Sequence, residues 1–313
     1  MKLTNQTNSK EPIIKRYFSS ETILNNVIED FEFLIDTIID SGFEYDLQIR
    51  ADYFNLYYRG NSLAKVTPYK PDHNYEICIH EKFFSIDEKD DPETKKKDIS
   101  ERFKRFNPQQ KSHYIYFDIT KNLLRPFFQI KHLKEFASNI KKVNYQEEIT
   151  FEQMLITDNT NRQDFIIIDR QVSDSTSKQR MDLLALIQDK RNDYQFCVIE
   201  VKLGNNPELN PERRQNVITQ LWDYVDRIKT NFSVYKECYK KTVIQKQALR
   251  LINENYKINI VEGVSGIVII GGYSGIVKKE KYIEKLQLNA PPNIEILPMD
   301  NLIDLSKTVK RGH

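Results

Sequence analysis

Cysteine is scarce: Cys78, Cys197 and Cys238 are the only three in a chain of 313 residues. Their odd number and wide spacing argue against a disulfide framework and point to a reducing, cytoplasmic setting. Long hydrophobic runs are missing, so no membrane span is expected. The opening stretch "MKLTNQTNSKEPIIKRYF" lacks the continuous apolar core of a secretory signal. Strong charge of one sign is also missing. With a net charge of +2, any nucleic-acid partner must be held by a local basic surface. No Gly/Pro-rich linker marks a domain boundary. What remains, 39% hydrophobic and 29% charged residues, is the balance of a soluble globular chain long enough for two ordinary domains.

Apolar residues at Ile23, Val27, Phe31, Leu34, Ile35, Ile38 and Ile39 recur at helical spacing after a cap at Ser19 or Ser20 and before a stop at Gly42, and predict one helix there. In "DYFNLYYRGNSLAKVTPY" two strand-like runs flank Arg59-Gly60-Asn61-Ser62, a hairpin turn. "YEICIHEKFF" and "SHYIYFDIT" read as strands and "LKEFASNIKKV" as a helix, while "DEKDDPETKKKDISERFKRF" reads as a loop leading into a basic helix. Residues 1–142 are therefore expected to form an α+β domain with a small antiparallel sheet, suited to recognising a substrate or partner. Tyr53, Tyr57 and Tyr58 on its hairpin are candidates for stacking on bases, and equally suit an ordinary sheet.

The texture changes near residue 145. A helix ("QEEITFEQMLI") precedes three strands ("DFIIIDRQV", "MDLLALIQ", "QFCVIEVKL"). A helix opened by Asn210-Pro211 follows, with proline at its first position. Another helix is expected from Lys236 to about Asn255, then a strand in "VSGIVIIGGY", and a short strand and final helix in "NIEILPMDNLIDLSKTV".

Five of the six residues from Phe196 to Val201 are apolar, as in a strand buried on both faces. Yet Glu200 and Lys202, two apart, must point the same way at its downstream end. A buried carboxylate needs a partner or a metal. The preceding strand carries Asp182 near its start, and a hairpin between the two brings Asp182 beside Glu200. Two carboxylates and a backbone carbonyl, that of Val201, make an oxygen-rich corner suited to Mg²⁺. An ammonium beside the metal, from Lys202, positions a water and opposes charge growing on a phosphate.

At these residues the sequence resembles the PD-(D/E)xK nuclease superfamily, whose pattern appears as Asp182 followed by Glu200-Val201-Lys202. The resemblance covers about 145 to 275. It implies an α/β fold with a restriction-endonuclease-like αβββαβ core, a mixed sheet flanked by helices, in a nuclease domain spanning 143–313. An acid of the first helix often completes the family's site. Glu147, Glu148 and Glu152 are the candidates, and Glu148 is favoured because it lies one heptad before Leu155. Gln220 and Tyr224 match the Q-x-x-x-Y motif of some branches, which implies a role in orienting the site or touching the nucleic-acid backbone. The implied protein is an Mg²⁺-dependent endonuclease, with Mn²⁺ as a substitute, acting on DNA rather than RNA. Restriction or anti-phage defence and a homodimeric state fit the same family. The rival reading is a non-catalytic nucleic-acid-binding or assembly module on the same fold.

Basic clusters that could meet phosphates lie at Lys95-Lys96-Lys97, Arg102/Lys104/Arg105, Lys141-Lys142, Arg213-Arg214 and Lys278-Lys279. Arg213-Arg214 is expected nearest the metal corner, at the start of the helix after E-x-K. His73, Cys78 and His80 lie close in sequence but lack a fourth zinc ligand at a usual spacing. Gly271–Gly275 lacks the Lys-Ser/Thr of a phosphate-binding P-loop.

Overall fold

Alternating burial builds the first of two sheets, in a computed structural model that describes residues 13–69, 73–84, 101–143, 146–176, 179–272, 277 and 280–299. Its strands are β1 (Tyr45–Ile49), β2 (Phe54–Tyr58), β3 (Asn61–Tyr69), β4 (Asn74–His80), β5 (Gln109–Lys111) and β6 (Tyr114–Thr120). They pair antiparallel in the order β1-β2-β3-β4-β6-β5. Tyr75, Ile77 and Ile79 of β4 point into a core with Ile115, Phe117 and Ile119 of β6, while the residues between them point out. Helices α1 (Glu21–Asp30), α2 (Glu32–Asp40), α3 (Glu101–Lys104), α4 (Lys121–Phe127) and α5 (Ile130–Val143) belong to this half of the chain.

Several sequence expectations change here. The single helix expected up to Gly42 is broken at Phe31 (φ −110°), whose ring packs edge-on against Phe54 and Tyr75 at 5.0 and 4.9 Å. The hairpin turn is only Arg59-Gly60, both at positive φ, and Asn61 already belongs to β3. Strands β1 and β5 escaped the sequence reading, so the sheet is larger than expected. Tyr57 and Tyr58 are buried and cannot stack on a ligand; Tyr57 lies under the guanidinium of Arg170 at 5.1 Å.

The second sheet is mixed. Strands β7 (Phe165–Val172), β8 (Met181–Lys190) and β9 (Asp193–Leu203) run antiparallel, and β10 (Asn259–Gly271) and β11 (Ile294–Met299) run parallel to β9, in the order β11-β10-β9-β8-β7. Helix α6 (Glu147–Asp158) covers one face, where Ile156 meets Leu183, Ile199 and Val201. Helices α7 (Val217–Thr230) and α8 (Phe232–Ala248) cover the other, with Leu221, Val225 and Tyr239 against Phe196, Val198 and Val268. Strand β9 is thus buried on both faces. Helix α9 (Tyr282–Asn289) precedes β11. The order helix, three strands, helix anticipated from the sequence is present, and the second helix expected before β10 is α8. The chain is mixed α/β, with two sheets and nine α-helices among the described residues. None of those helices is long and apolar enough to cross a membrane.

Helix boundaries also move. The helix expected from Pro211 begins at Val217, because the side chain of Asn216 accepts the Thr219 N–H at 3.1 Å and caps it. The Asn210 side chain instead accepts the Glu212 N–H at 3.0 Å in the turn before it. The helix expected over 236–255 is α8, four residues earlier at its start, and it ends where Leu249 caps it and Arg250 turns to φ 58°. The expected final helix after Met299, and the Lys95-Lys96-Lys97 and Lys278-Lys279 clusters, lie outside the described residues.

Buried charge joins the two sheets at a bulge in β7. Asp169 receives Arg50 at 2.7 Å, Arg16 at 3.4 Å and the Tyr239 hydroxyl at 2.9 Å. Arg170 is fully buried and turns to other partners: Gln153 at 2.6 Å, Glu152 at 3.1 Å and Asp46 at 3.6 Å. The ammonium of Lys246 donates to Gln48 at 2.8 Å and to the Ile168 carbonyl at 2.7 Å. Removing one member strands the rest without counter-charge. We expect Arg170→Ala to cost about 3–5 kcal/mol, read as a fall in the denaturant midpoint at unchanged m-value. A loss below about 1 kcal/mol would mean the network is solvated.

Candidate active site

The E-x-K end of β9 meets the first residues of β8. The pairing Leu183↔Ile199, carried one residue further, sets Asp182 opposite Glu200. The Asp182 carboxylate also accepts the Val201 N–H at 2.9 Å, which ties it to the neighbouring strand. Alternation puts Glu200 and Lys202 on the face of Phe196 and Val198, towards α7. Both are buried, at 1% and 6% exposure. The Lys202 ammonium lies 2.7 Å from one oxygen of Glu200. The other Glu200 oxygen is buried without a hydrogen-bond partner.

Helix α6 delivers two more acids. Glu148 is half-buried and close enough to Asp182 to push its carboxyl up. Glu152 is buried, bound to Arg170 at 3.1 Å and Gln171 at 3.3 Å, and it too feels Asp182. Glu147 is exposed. Helix α7 contributes Gln220 and Tyr224. Gln220 donates to the Tyr224 hydroxyl at 3.2 Å, and that hydroxyl donates to the Arg180 carbonyl at 3.0 Å. Tyr224 therefore anchors the backbone that leads into Asp182. Arg213 and Arg214 are not on the helix. They sit exposed on the turn before it, held by Asn216 donating to the carbonyls of Pro211 and Arg213 at 3.2 and 3.3 Å, and they line an open cleft with Glu208 and Gln215.

Glu208 was missed by the sequence reading. It reaches Lys202 at 3.0 Å from a 3₁₀ turn, Pro207–Leu209, capped by Asn206 accepting the Glu208 N–H at 2.9 Å. Asn206-Pro207, a capping residue followed by proline, was the available signal. Arg170 was missed as well, because its partners lie far away in the chain. The other sequence candidates stay apart. His73 binds Asp30 at 2.7 Å, away from Cys78 and His80 in β4. Arg102 is paired with Glu135 at 2.8 Å.

Crowded carboxylates in a buried corner resist ionising together. Burial, with Asp182 as neighbour, pushes Glu200 up to about 8 despite Lys202. Burial raises Asp182 to about 6, against the pull of the Val201 N–H and of Lys202. Burial and Asp182 raise Glu152 to about 7, against Arg170. Lys202 stays charged: burial opposes its charge, but Glu200 and then Asp182 raise it above the ordinary lysine range.

Among the described residues no three His, Cys, Asp or Glu side chains converge as a ready metal cage. The donor set nevertheless suits a hard divalent cation. Two facing carboxylates, one with an unpartnered buried oxygen, lack the positive charge that would let both ionise. Comparison with known protein families, curated proteins and solved structures finds no match to this chain.

The raised carboxyls fix a pH dependence for the metal-free protein. Each acid keeps its proton in the folded chain at a pH where the unfolded chain has lost it. Their contribution is complete below about pH 4, where unfolded carboxyls are also protonated. It is lost as pH rises through about 6 to about 8. Melting temperatures in EDTA should therefore fall across this window, and Glu200→Gln should flatten the fall. An equally steep profile in the variant would show that Glu200 does not hold its proton.

Proposed function

We propose that this chain is a metal-dependent nuclease of the PD-(D/E)xK type, built on a restriction-endonuclease-like core and hydrolysing phosphodiester bonds in DNA. The observation that carries the reading is Asp182 facing Glu200 across β8 and β9 with the Lys202 ammonium 2.7 Å from Glu200. An ordinary strand end meeting solvent would leave these charges exposed; here Glu200 and Lys202 are buried. Restriction or anti-phage defence is the role that the family resemblance favours.

Asp182, Glu200 and the Val201 carbonyl would hold Mg²⁺, or Mn²⁺ in its place. Such an ion supplies a more acidic water and a counter-charge for the scissile phosphate. The chain's own groups do the rest. Lys202, kept cationic, opposes the charge that grows on the phosphate oxygens. Glu148, beside Asp182, is placed to orient water. Glu152 is committed to Arg170 and holds the back of the site rather than its mouth. Tyr224 fixes the entry to β8, and Arg213 and Arg214 offer exposed cations to the polyanion.

Incubation of purified protein with plasmid, linear DNA, single strands and RNA, with and without Mg²⁺ or Mn²⁺, tests this. Cleavage should require metal and fall by about 10²-fold or more in both Asp182→Ala and Lys202→Ala, with their melting behaviour still cooperative. Cleavage that survives both changes overturns the assignment. Salt-sensitive DNA binding without metal binding in calorimetry would favour the non-catalytic module instead.

A further inference from the structure

The outer face of the first sheet carries a pattern that the nuclease site does not use. Strand register sorts its side chains into rows. One row runs Asn55–Lys65–Cys78–Tyr116–Gln109 across five strands. The next runs His80–Tyr114–Lys111. On the other side lies Thr67–Glu76–Asp118. The two acids of that third row both accept from the Tyr69 hydroxyl, at 3.3 and 3.2 Å. Glu76 and Asp118 thus fall in one row, while Lys65 and Lys111, with Tyr116 and Tyr114, fall in the two rows towards His80.

The rings and cations of those two rows are interleaved. The Lys65 ammonium sits 4.4 Å from the centre of the Tyr53 ring, and Lys111 sits 5.2 Å from that of Tyr116. Tyr114 is 44% exposed, and its ring meets His80 edge-on at 5.1 Å. Tyr53, Lys65, His80, Lys82, Tyr114 and Tyr116 line a concave basin of about 550 Å³, with Glu76 on its acidic side; Lys111 belongs to the row that continues it on the edge strand. Flat rings offer π-faces to bases of any sequence, and lysines set among them answer the phosphates between those bases. A duplex hides its base faces and presents only its backbone, so it cannot use the rings.

We propose that this sheet face is a binding site for single-stranded nucleic acid, with Tyr114 and Tyr116 stacking on bases and Lys65 and Lys111 meeting phosphates. The site lies in the half of the chain that lacks the E-x-K corner. It does not depend on the chain being a nuclease, and its test needs no metal.

Fluorescence anisotropy of the full chain in EDTA, with a labelled twelve-nucleotide oligo-dT and with a duplex of equal length, decides the matter. The single strand should bind more tightly than the duplex. Tyr114→Ala and Tyr116→Ala should each weaken oligo-dT binding about 5- to 150-fold, while Tyr114→Phe, which keeps the ring, retains it. Lys65→Ala should also lower the slope of log affinity against log salt by about 1. Unchanged melting temperatures would separate these effects from unfolding. No oligo-dT binding, equal affinity for duplex, or alanine variants that bind as the unaltered chain does would each overturn the proposal. Cleavage lost in Lys202→Ala with oligo-dT binding intact would support both readings, because the two sites share no residue.

Discussion

Asp169 and Arg170 are neighbours on one strand that cannot be neutralised by each other, and the arrangement of both sheets follows from how each finds a partner. The bulge in β7 turns them to different surroundings. Asp169 draws Arg50 from beyond β1, Arg16 from ahead of α1 and Tyr239 from α8. Arg170 draws Asp46 from β1 and Glu152 with Gln153 from α6. Buried ion pairs contribute little net stability over apolar packing, but they accept few alternative geometries. Their effect here is to fix where α6 lies, and α6 carries the acids that stand behind Asp182.

Charge is therefore partitioned along α6. Glu152 pairs with Arg170, while Glu148, one turn earlier, makes no ion pair among the described residues and acts on Asp182 instead. On the opposite side Lys202 sits between Glu200 and Glu208. The corner thus holds an excess of carboxylate around one ammonium. That excess keeps protons on buried acids near neutrality and makes the corner receptive to added positive charge.

Much of this was legible in the sequence because it is local. The apolar run Phe196–Val201 and its terminal Glu200 and Lys202 read directly as a doubly buried strand with two charges on one face. Asp182 followed from assuming the simplest hairpin, and Gln220 and Tyr224 from four-residue spacing on a helix. Two kinds of information were not legible. Competing caps such as Asn210 and Asn216 both suit a helix start, and packing of Val217 and Leu221 against the sheet selects the second. Long-range pairs leave no local trace: nothing in "DFIIIDRQV" says that its arginine is wholly buried, since Asp46 lies more than a hundred residues upstream. Tyr57 and Tyr58 were ambiguous for the same reason; both are buried, while Tyr53, just ahead of β2, stays half-buried at the surface.

Gly60 gives the arrangement a fixed spacing. At φ 76° it turns the β2–β3 hairpin, and its N–H donates to Gln153 of α6 at 3.2 Å. A Cβ there would lie 2.0 Å from the Ile149 side chain and 2.7 Å from the Arg170 guanidinium. The hairpin tip is seated directly on the helix, with no room for even a methyl group between them. Exchange of the first sheet for another would remove this seat along with Asp46. Bulk added at this seat would have to push the hairpin off the helix, so the two halves are coupled at this one close contact.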